Sequence, residues 1–230
     1  MARGWRVPLL SVILAMAAEA AWAGPAHVVK RDANALRFKA VYMREWVHVR
    51  KVPADIVVNA NFYWRGAPLG ILVKEGRLVN GGLKQKPPRT SFVVQQVNGR
   101  QRVRILEVYE KGGRLYTSSG PLTNVRTLVQ AGPRLVTNGR VAVARSREGF
   151  RNDVARRTRH VGLGLTRDGK LLIVAQSDVT LTEFARTFVR LGAQDAMNLD
   201  GGSSATLAVN GKVRMGSGRI LAGLAINSPK

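Results

Sequence analysis

The stretch Val161-Gly162-Leu163-Gly164-Leu165-Thr166-Arg167-Asp168-Gly169-Lys170-Leu171-Leu172-Ile173-Val174-Ala175 decides the fold class. Asp168-Gly169 suits the positive φ of a tight turn, and it separates Val161 to Leu165 from Lys170 to Ala175, two runs with strand-forming side chains. The segment therefore reads as a β-hairpin. Leu171 to Ala175 is apolar at both parities, so its strand should be covered on both faces. The same pattern recurs outward along the chain. Asn98-Gly99 lies between Val93 to Val97 and Arg102 to Val108, Asn138-Gly139 between Arg134 to Val136 and Val141 to Val143, and Asn210-Gly211 between Ala205 to Val209 and Lys212 to Met215. With Glu75-Gly76 as a fifth signal, the chain predicts extensive antiparallel sheet.

A second apolar run, Ile56 to Tyr63, predicts another central strand, interrupted by Asn59 and Asn61. One helix stands out. Thr180 and Glu183 form a capping box, Leu181, Phe184, Ala185, Phe188 and Leu191 recur at helical spacing, and Gly192 ends the run. A further helix is expected from Leu122 to Gln130. No repeat or low-complexity linker divides the chain, so the fold class is α+β: a single domain over residues 24–230, with a large, mainly antiparallel mixed β-sheet system and one or two packed helices.

Composition narrows the function classes. Of 230 residues, 45% are hydrophobic and 22% charged, which excludes wholesale disorder and a multi-span membrane protein. The absence of Cys excludes disulfides, thiolate metal sites and Cys nucleophiles. Lys and Arg total 37 against 14 Asp and Glu, a net charge of +23, so attraction to polyanions is expected. At the N-terminus, Arg3 and Arg6 precede an apolar run from Val7 to Ala18, followed by the small-x-small signal Ala21-Trp22-Ala23. The run is short of the roughly 20 apolar residues that span a bilayer, so residues 1–23 read as a cleaved signal peptide rather than an anchor. A periplasmic or secreted protein is expected.

The segment most informative for chemistry is Asn198-Leu199-Asp200-Gly201-Gly202-Ser203-Ser204, where a short strand should run into a loop. Paired glycines let backbone amides approach an anion, and Asp200 places a carboxylate beside them. The same residues also read as a Gly-Gly turn in which Asp200 accepts local backbone hydrogen bonds. Asp178 lies between a buried strand and a helix N-terminus, a position that serves a site residue or a solvated loop equally well. Arg156, Arg157, Arg159 and His160 precede the Val161 strand. Guanidinium groups can hold phosphate oxygens, and a histidine can move a proton near neutrality. Glu183 is explained by its capping role. Asn59 and Asn61 must be hydrogen-bonded within an apolar strand, to backbone or to ligand. No HExxH, EF-hand, P-loop or G-x-S-x-G pattern occurs, so no metal and no cofactor is expected.

In their order along the chain, Asn59-Ala60-Asn61-Phe62-Tyr63, Pro68-Leu69-Gly70, Gly132-Pro133-Arg134-Leu135-Val136, Asn138-Gly139, Asp168-Gly169-Lys170-Leu171, Thr182-Glu183-Phe184-Ala185 and Asn198 to Ser204 resemble the phosphodiester glycosidase family. The resemblance runs from about Val57 to Ala225, and its form is that of a bacterial branch. Asn61 stands where the family commonly has Gly, and Gln176-Ser177-Asp178 replaces a Val-Asp-Gly-Arg stretch. The resemblance implies hydrolysis of a sugar-1-phosphodiester in an envelope or extracellular glycan such as an exopolysaccharide. On that reading Asp200 and Asp178 are the catalytic carboxylates, and His160 assists leaving-group protonation. Asn59, Asn61, Arg159, Asn198, Gly201, Gly202 and Ser203 bind substrate.

The expected partner is a sugar phosphate or anionic glycan, with peripheral contact to an anionic envelope surface. Nucleic acid is not expected, because only 6% of residues are aromatic and no stacking motif occurs. The alternative class is a noncatalytic binding module for anionic envelope polysaccharide.

Overall fold

Asn98, Asn138, Asn210 and Glu75 adopt φ of 50°, 51°, 50° and 53°, each followed by a glycine at positive φ. Two successive left-handed residues make a two-residue turn whose twist matches that of the flanking strands. In the computed structural model, which describes residues 24–82, 87–143, 145–151, 154 and 156–229, each of these turns joins two paired strands. At Asp168-Gly169 only Gly169 is left-handed, and its N–H donates to the Thr166 carbonyl in a longer turn. The expected signal peptide lies outside the described residues.

The strands form three main sheets. The first has the order Ala26–Asp32, Lys170–Val179, Thr158–Thr166, Ala193–Asn198, Arg134–Thr137 and Arg140–Val141. The second runs Gly120–Pro121, Arg114–Thr117, Arg100–Lys111, Arg89–Val97, Val125–Gln130, Ile71–Lys74 and Arg77–Gly81. The third runs Lys212–Met215, Leu207–Val209, Ile56–Asn59, Arg219–Asn227 and Arg37–His48. A two-stranded hairpin, Tyr63–Trp64 with Ala67–Pro68, stands apart.

All strand pairs among the described residues are antiparallel, so the expected mixed sheet is an antiparallel one, and the fold is sheet-dominated. The expected helix at Leu122 to Gln130 is instead the strand Val125–Gln130. Asn124 at φ 56° breaks the backbone before it, and Val125, Thr127 and Val129 are β-branched. Pairing with Ile71–Lys74 on one side and Arg89–Val97 on the other outweighs a weak helical spacing.

The three sheets meet in one core. Leu72, Phe92 and Val129 come from the second sheet, Val161, Leu163, Leu171, Ile173 and Met197 from the first, and Ile56, Val58, Leu207, Leu224 and Ile226 from the third. Leu172 and Val174, at the opposite parity, pack with Leu135, Ala196 and the helix Leu181–Arg190 through Leu181, Phe184, Ala185 and Phe188. Both faces of the Lys170–Val179 strand are thereby buried, as its two-parity apolar run predicts. The capping box of Thr180 and Glu183 is formed, and Gly192 at φ 85° follows the helix. Among the described residues no helix is long and apolar enough to cross a membrane.

Candidate active site

The first and third sheets are stitched together where their strands end. Asn59 closes the Ile56–Asn59 strand and sends its amide to the loop after Asn198: Nδ2 donates to the Asp200 carbonyl at 2.6 Å, and Oδ1 accepts from the Thr206 N–H at 2.8 Å. The Asp200 N–H donates to the Ala60 carbonyl at 3.0 Å. The 200–206 loop is thus held at both ends by backbone and amide groups. Its geometry is set before any ligand arrives.

This loop forms one wall of a cavity of about 190 Å³, lined also by Phe62, Val154, Arg156, Thr158, His160 and Asn198. Asp200 is 9% exposed. Burial pushes its carboxyl up to about 7, against the lowering effect of hydrogen bonds from the Ser204 hydroxyl and the Gly201 N–H. Among the described residues it is the only carboxylate lining the cavity. Gly201 allows the close approach this requires, since a Cβ there would lie 3.1 Å from the Arg159 carbonyl oxygen and 3.3 Å from His160 Nδ1. Gly202, at φ 65°, takes the left-handed conformation that favours glycine.

His160 is held in one tautomer. Asn198 Nδ2 donates to the carbonyls of Leu199 at 2.6 Å and Gly132 at 3.3 Å, so its Oδ1 is the acceptor facing His160 Nδ1 at 3.1 Å. His160 therefore carries its proton on Nδ1, and the buried Nε2 has no hydrogen-bond partner among the described residues. Burial lowers the pKa of the ring, while the Asn198 amide and the Val179 carbonyl act more weakly in the opposite sense. The ring stacks on Phe184 with centroids 5.5 Å apart.

The other expected site residues fall elsewhere. Asn59 and Asn61 do not line the cavity. Asn61 Nδ2 donates to the Ile71 carbonyl at 3.1 Å, and its buried Oδ1 is unpartnered among the described residues. Arg156 and Arg159 are both exposed, but only Arg156 lines the cavity, together with Thr158 and His160. Asp178 is exposed at φ 55° and outside the lining. Thr158 pairs with Val179 and His160 with Gln176, so Ser177 and Asp178 together oppose Arg159 in a bulge. The Asp178 carbonyl accepts from Arg157 Nη1 at 2.6 Å, and Arg157 also pairs with Glu183. Ser203 is exposed and borders a neighbouring cleft with Ser204.

The site reading from sequence missed Ser204, which bonds Asp200, and Tyr63, whose hydroxyl lies 3.2 Å from Ser204 Oγ. It weighed Arg156 only as one member of a basic cluster. Among the described residues, no group of three or more His, Asp or Glu gathers closely enough to hold a metal ion.

The family model for phosphodiester glycosidases matches residues 53–223, a span that contains the whole cavity lining. The chain belongs to the phosphodiester glycosidase family. No curated protein gives a match to the sequence. Several solved structures share the fold of this phosphodiester glycosidase family member, three of them as follows. A hypothetical protein from Synechocystis aligns at TM-score 0.67 and 16% identity, covering 90% of this chain and 59% of its own. The catalytic domain of zebrafish N-acetylglucosamine-1-phosphodiester alpha-N-acetylglucosaminidase, auto-inhibited by its pro-peptide, aligns at 0.65 and 15% identity, with 89% and 83% covered. A protein from Burkholderia pseudomallei described as exported aligns at 0.68 and 16% identity, with 88% and 73% covered. The chain thus spans a little over half of the Synechocystis protein.

Proposed function

We propose that the protein is an exported hydrolase that cleaves the glycosidic bond of a sugar-1-phosphodiester in an envelope or extracellular glycan, releasing free sugar and a phosphomonoester. The observation that carries this reading is Asp200, a carboxyl with a pKa of about 7 in a cavity that also presents the Arg156 side chain and the Gly201-Gly202 backbone. A general base is most effective when its pKa lies near the working pH. Asp200 takes a proton from the water that attacks the anomeric carbon as the bond to the phosphate oxygen breaks. The departing phosphate keeps its negative charge, so it needs neutralisation more than protonation. Arg156, an exposed side chain that borders the cavity, supplies that neutralisation, the role expected from sequence for Arg159.

His160, buried neutral with its proton directed at Asn198, packs beside Gly201 and shapes the cavity wall rather than supplying a proton for the leaving group. Asn59 and Asn198 act by holding the loop and the imidazole. Asp178 does not line the cavity, and in this reading proton transfer rests on Asp200 without it. Export is supported by the leader pattern from Arg3 to Ala23.

The test is incubation with a panel of sugar-1-phosphodiesters, starting with N-acetylglucosamine esters, while sugar and phosphomonoester are followed separately. Equal release of both supports the reading, and release of a sugar phosphate instead would place the cut at the wrong bond. The binding-module alternative draws on one observation, that a single carboxylate lines the cavity among the described residues. It predicts salt-sensitive binding of anionic glycan with no turnover.

A further inference from the structure

The hairpin of Tyr63–Trp64 with Ala67–Pro68, which pairs with none of the three main sheets, ends in a projecting tip. Trp64, Arg65, Gly66 and Ala67 are exposed one after another, and a Cβ built at Gly66 would meet no atom within 4 Å. Trp64 is 65% exposed, an uncommon state for so large an apolar ring.

The tip is stiff. Arg65 at φ 48° and Gly66 at φ 78° form a two-residue turn whose twist matches that of its strands. Tyr42 Oη donates to the Gly66 carbonyl at 3.1 Å, and the Leu69 N–H donates to the Phe62 carbonyl at 2.7 Å. The Tyr63 ring meets Trp46 edge to face with centroids 4.8 Å apart. The Trp64 indole is therefore held out on a fixed support. The chain has four tryptophans, of which Trp5 and Trp22 lie within residues 1–23. Trp46, the other described one, is 36% exposed against Tyr63, so both described indoles belong to this one patch.

Charge completes the pattern. The Arg65 guanidinium carbon lies 5.9 Å from the centre of the Trp64 ring, and among the described residues Arg65 pairs with no acid. Phe62, just before the hairpin, shares the Asp200 cavity with Arg156, and Tyr63 shares the neighbouring cleft with Arg219, so cations flank the hairpin on both sides. Glu45 is the one acid in the strand that carries Trp46, and Arg44 precedes it. The net charge of +23 adds long-range attraction to anionic surfaces.

An indole on a convex tip beside a guanidinium suits the headgroup layer of a bilayer, where the ring takes the boundary with the acyl chains and the cation meets lipid phosphate. A soluble glycan is held in concave sites instead. The run Trp64 to Ala67 is also far smaller than the roughly 20–30 residues a side of a stable protein interface.

We propose that the Trp64–Arg65 tip docks the protein on an anionic phospholipid surface, with the Trp64 indole in the headgroup layer and Arg65 on lipid phosphate. Because Phe62 adjoins the hairpin, docking holds the Asp200 cavity close to the membrane. This docking is independent of the glycosidase reading.

The test is binding of the exported protein to vesicles of phosphatidylglycerol with phosphatidylcholine, read by sedimentation and by tryptophan quenching with brominated lipid. The vesicles should quench the wild type, and the quenching should remain in Trp46→Phe and disappear in Trp64→Phe. Trp64→Ser and Arg65→Ser should each lower the affinity about fivefold or more. Arg100→Ser removes the same charge from the second sheet and should lower it by less than about twofold. Binding without quenching, or quenching unchanged in Trp64→Phe, would mean adsorption through net charge alone and would overturn the proposal. So would an absence of binding, or Trp64 fluorescence that responds to a soluble anionic polysaccharide and not to vesicles.

Discussion

The side-chain amide of Asn59 lies 2.6 Å from the backbone carbonyl of Asp200, 141 residues further along the chain, and its other end accepts from the Thr206 N–H. One buried amide thus fixes both ends of the segment that carries the candidate catalytic carboxyl. Asn59→Ala would leave a buried carbonyl and a buried N–H unsatisfied at once. A loss of about 2–4 kcal/mol in unfolding free energy is expected. Urea denaturation measures it, and a loss below about 0.5 kcal/mol would mean that water replaces the amide without cost.

Asp200→Asn preserves the shape of the cavity but removes the proton acceptor. Turnover should fall on the order of a hundredfold or more while substrate binding persists. The wild-type kcat/KM should rise with pH through an apparent pKa of about 7, as Asp200 ionises. Single-turnover rates across pH 5 to 9 would show this limb in the wild type and its absence from the variant. Wild-type turnover in Asp200→Asn would remove Asp200 from the chemistry.

The same carboxyl should make stability depend on pH. Its folded pKa, about 7, lies above the ordinary value of 3.8, so the folded state binds the proton more tightly than the unfolded chain does. The contribution is fully present below pH 3.8 and is lost as pH rises through 7. At pH 8 ionised Asp200 should cost at most about 4 kcal/mol, and Asp200→Asn should recover part of it. Melting temperatures at pH 5 and pH 8 test this. The variant should gain on the wild type at pH 8, and an equal difference at both pH values would contradict the assignment.

Arg156 lines the cavity and Arg159 does not. Arg156→Ala should raise KM for a phosphodiester by about tenfold, with part of the effect screened by salt. Arg159→Ala should raise it less. Initial-rate kinetics at low and high ionic strength separate them, and a larger effect at Arg159 would return the phosphate contact to the residue expected from sequence.

Much of the scaffold was legible because its causes are local. Asn98, Asn138, Asn210 and Glu75 sit at left-handed φ because a two-residue hairpin turn demands it, and each glycine partner follows in sequence. Thr180 and Glu183 close their capping box within a single turn. Leu171 to Ala175 announces a strand buried on both faces through its own apolar run, and Asn198 to Ser204 is distinctive enough to mark the site loop. In each case torsional preference or side-chain period acts over a few residues.

Tertiary structure alone decided the rest. The Leu122 to Gln130 segment became a strand because two neighbours pair with it, an energy absent from its own spacing. Asp178 was kept out of the cavity by a bulge that puts two residues opposite Arg159, a register detail that residue types do not reveal. Trp46 and Arg219 meet across 173 residues, and Tyr63 reaches Ser204 across 141, because separate sheets end at the same place. Sequence specifies which residues can bond locally. Which distant partners desolvate one another, and so lift the pKa of Asp200, depends on how the three sheets pack.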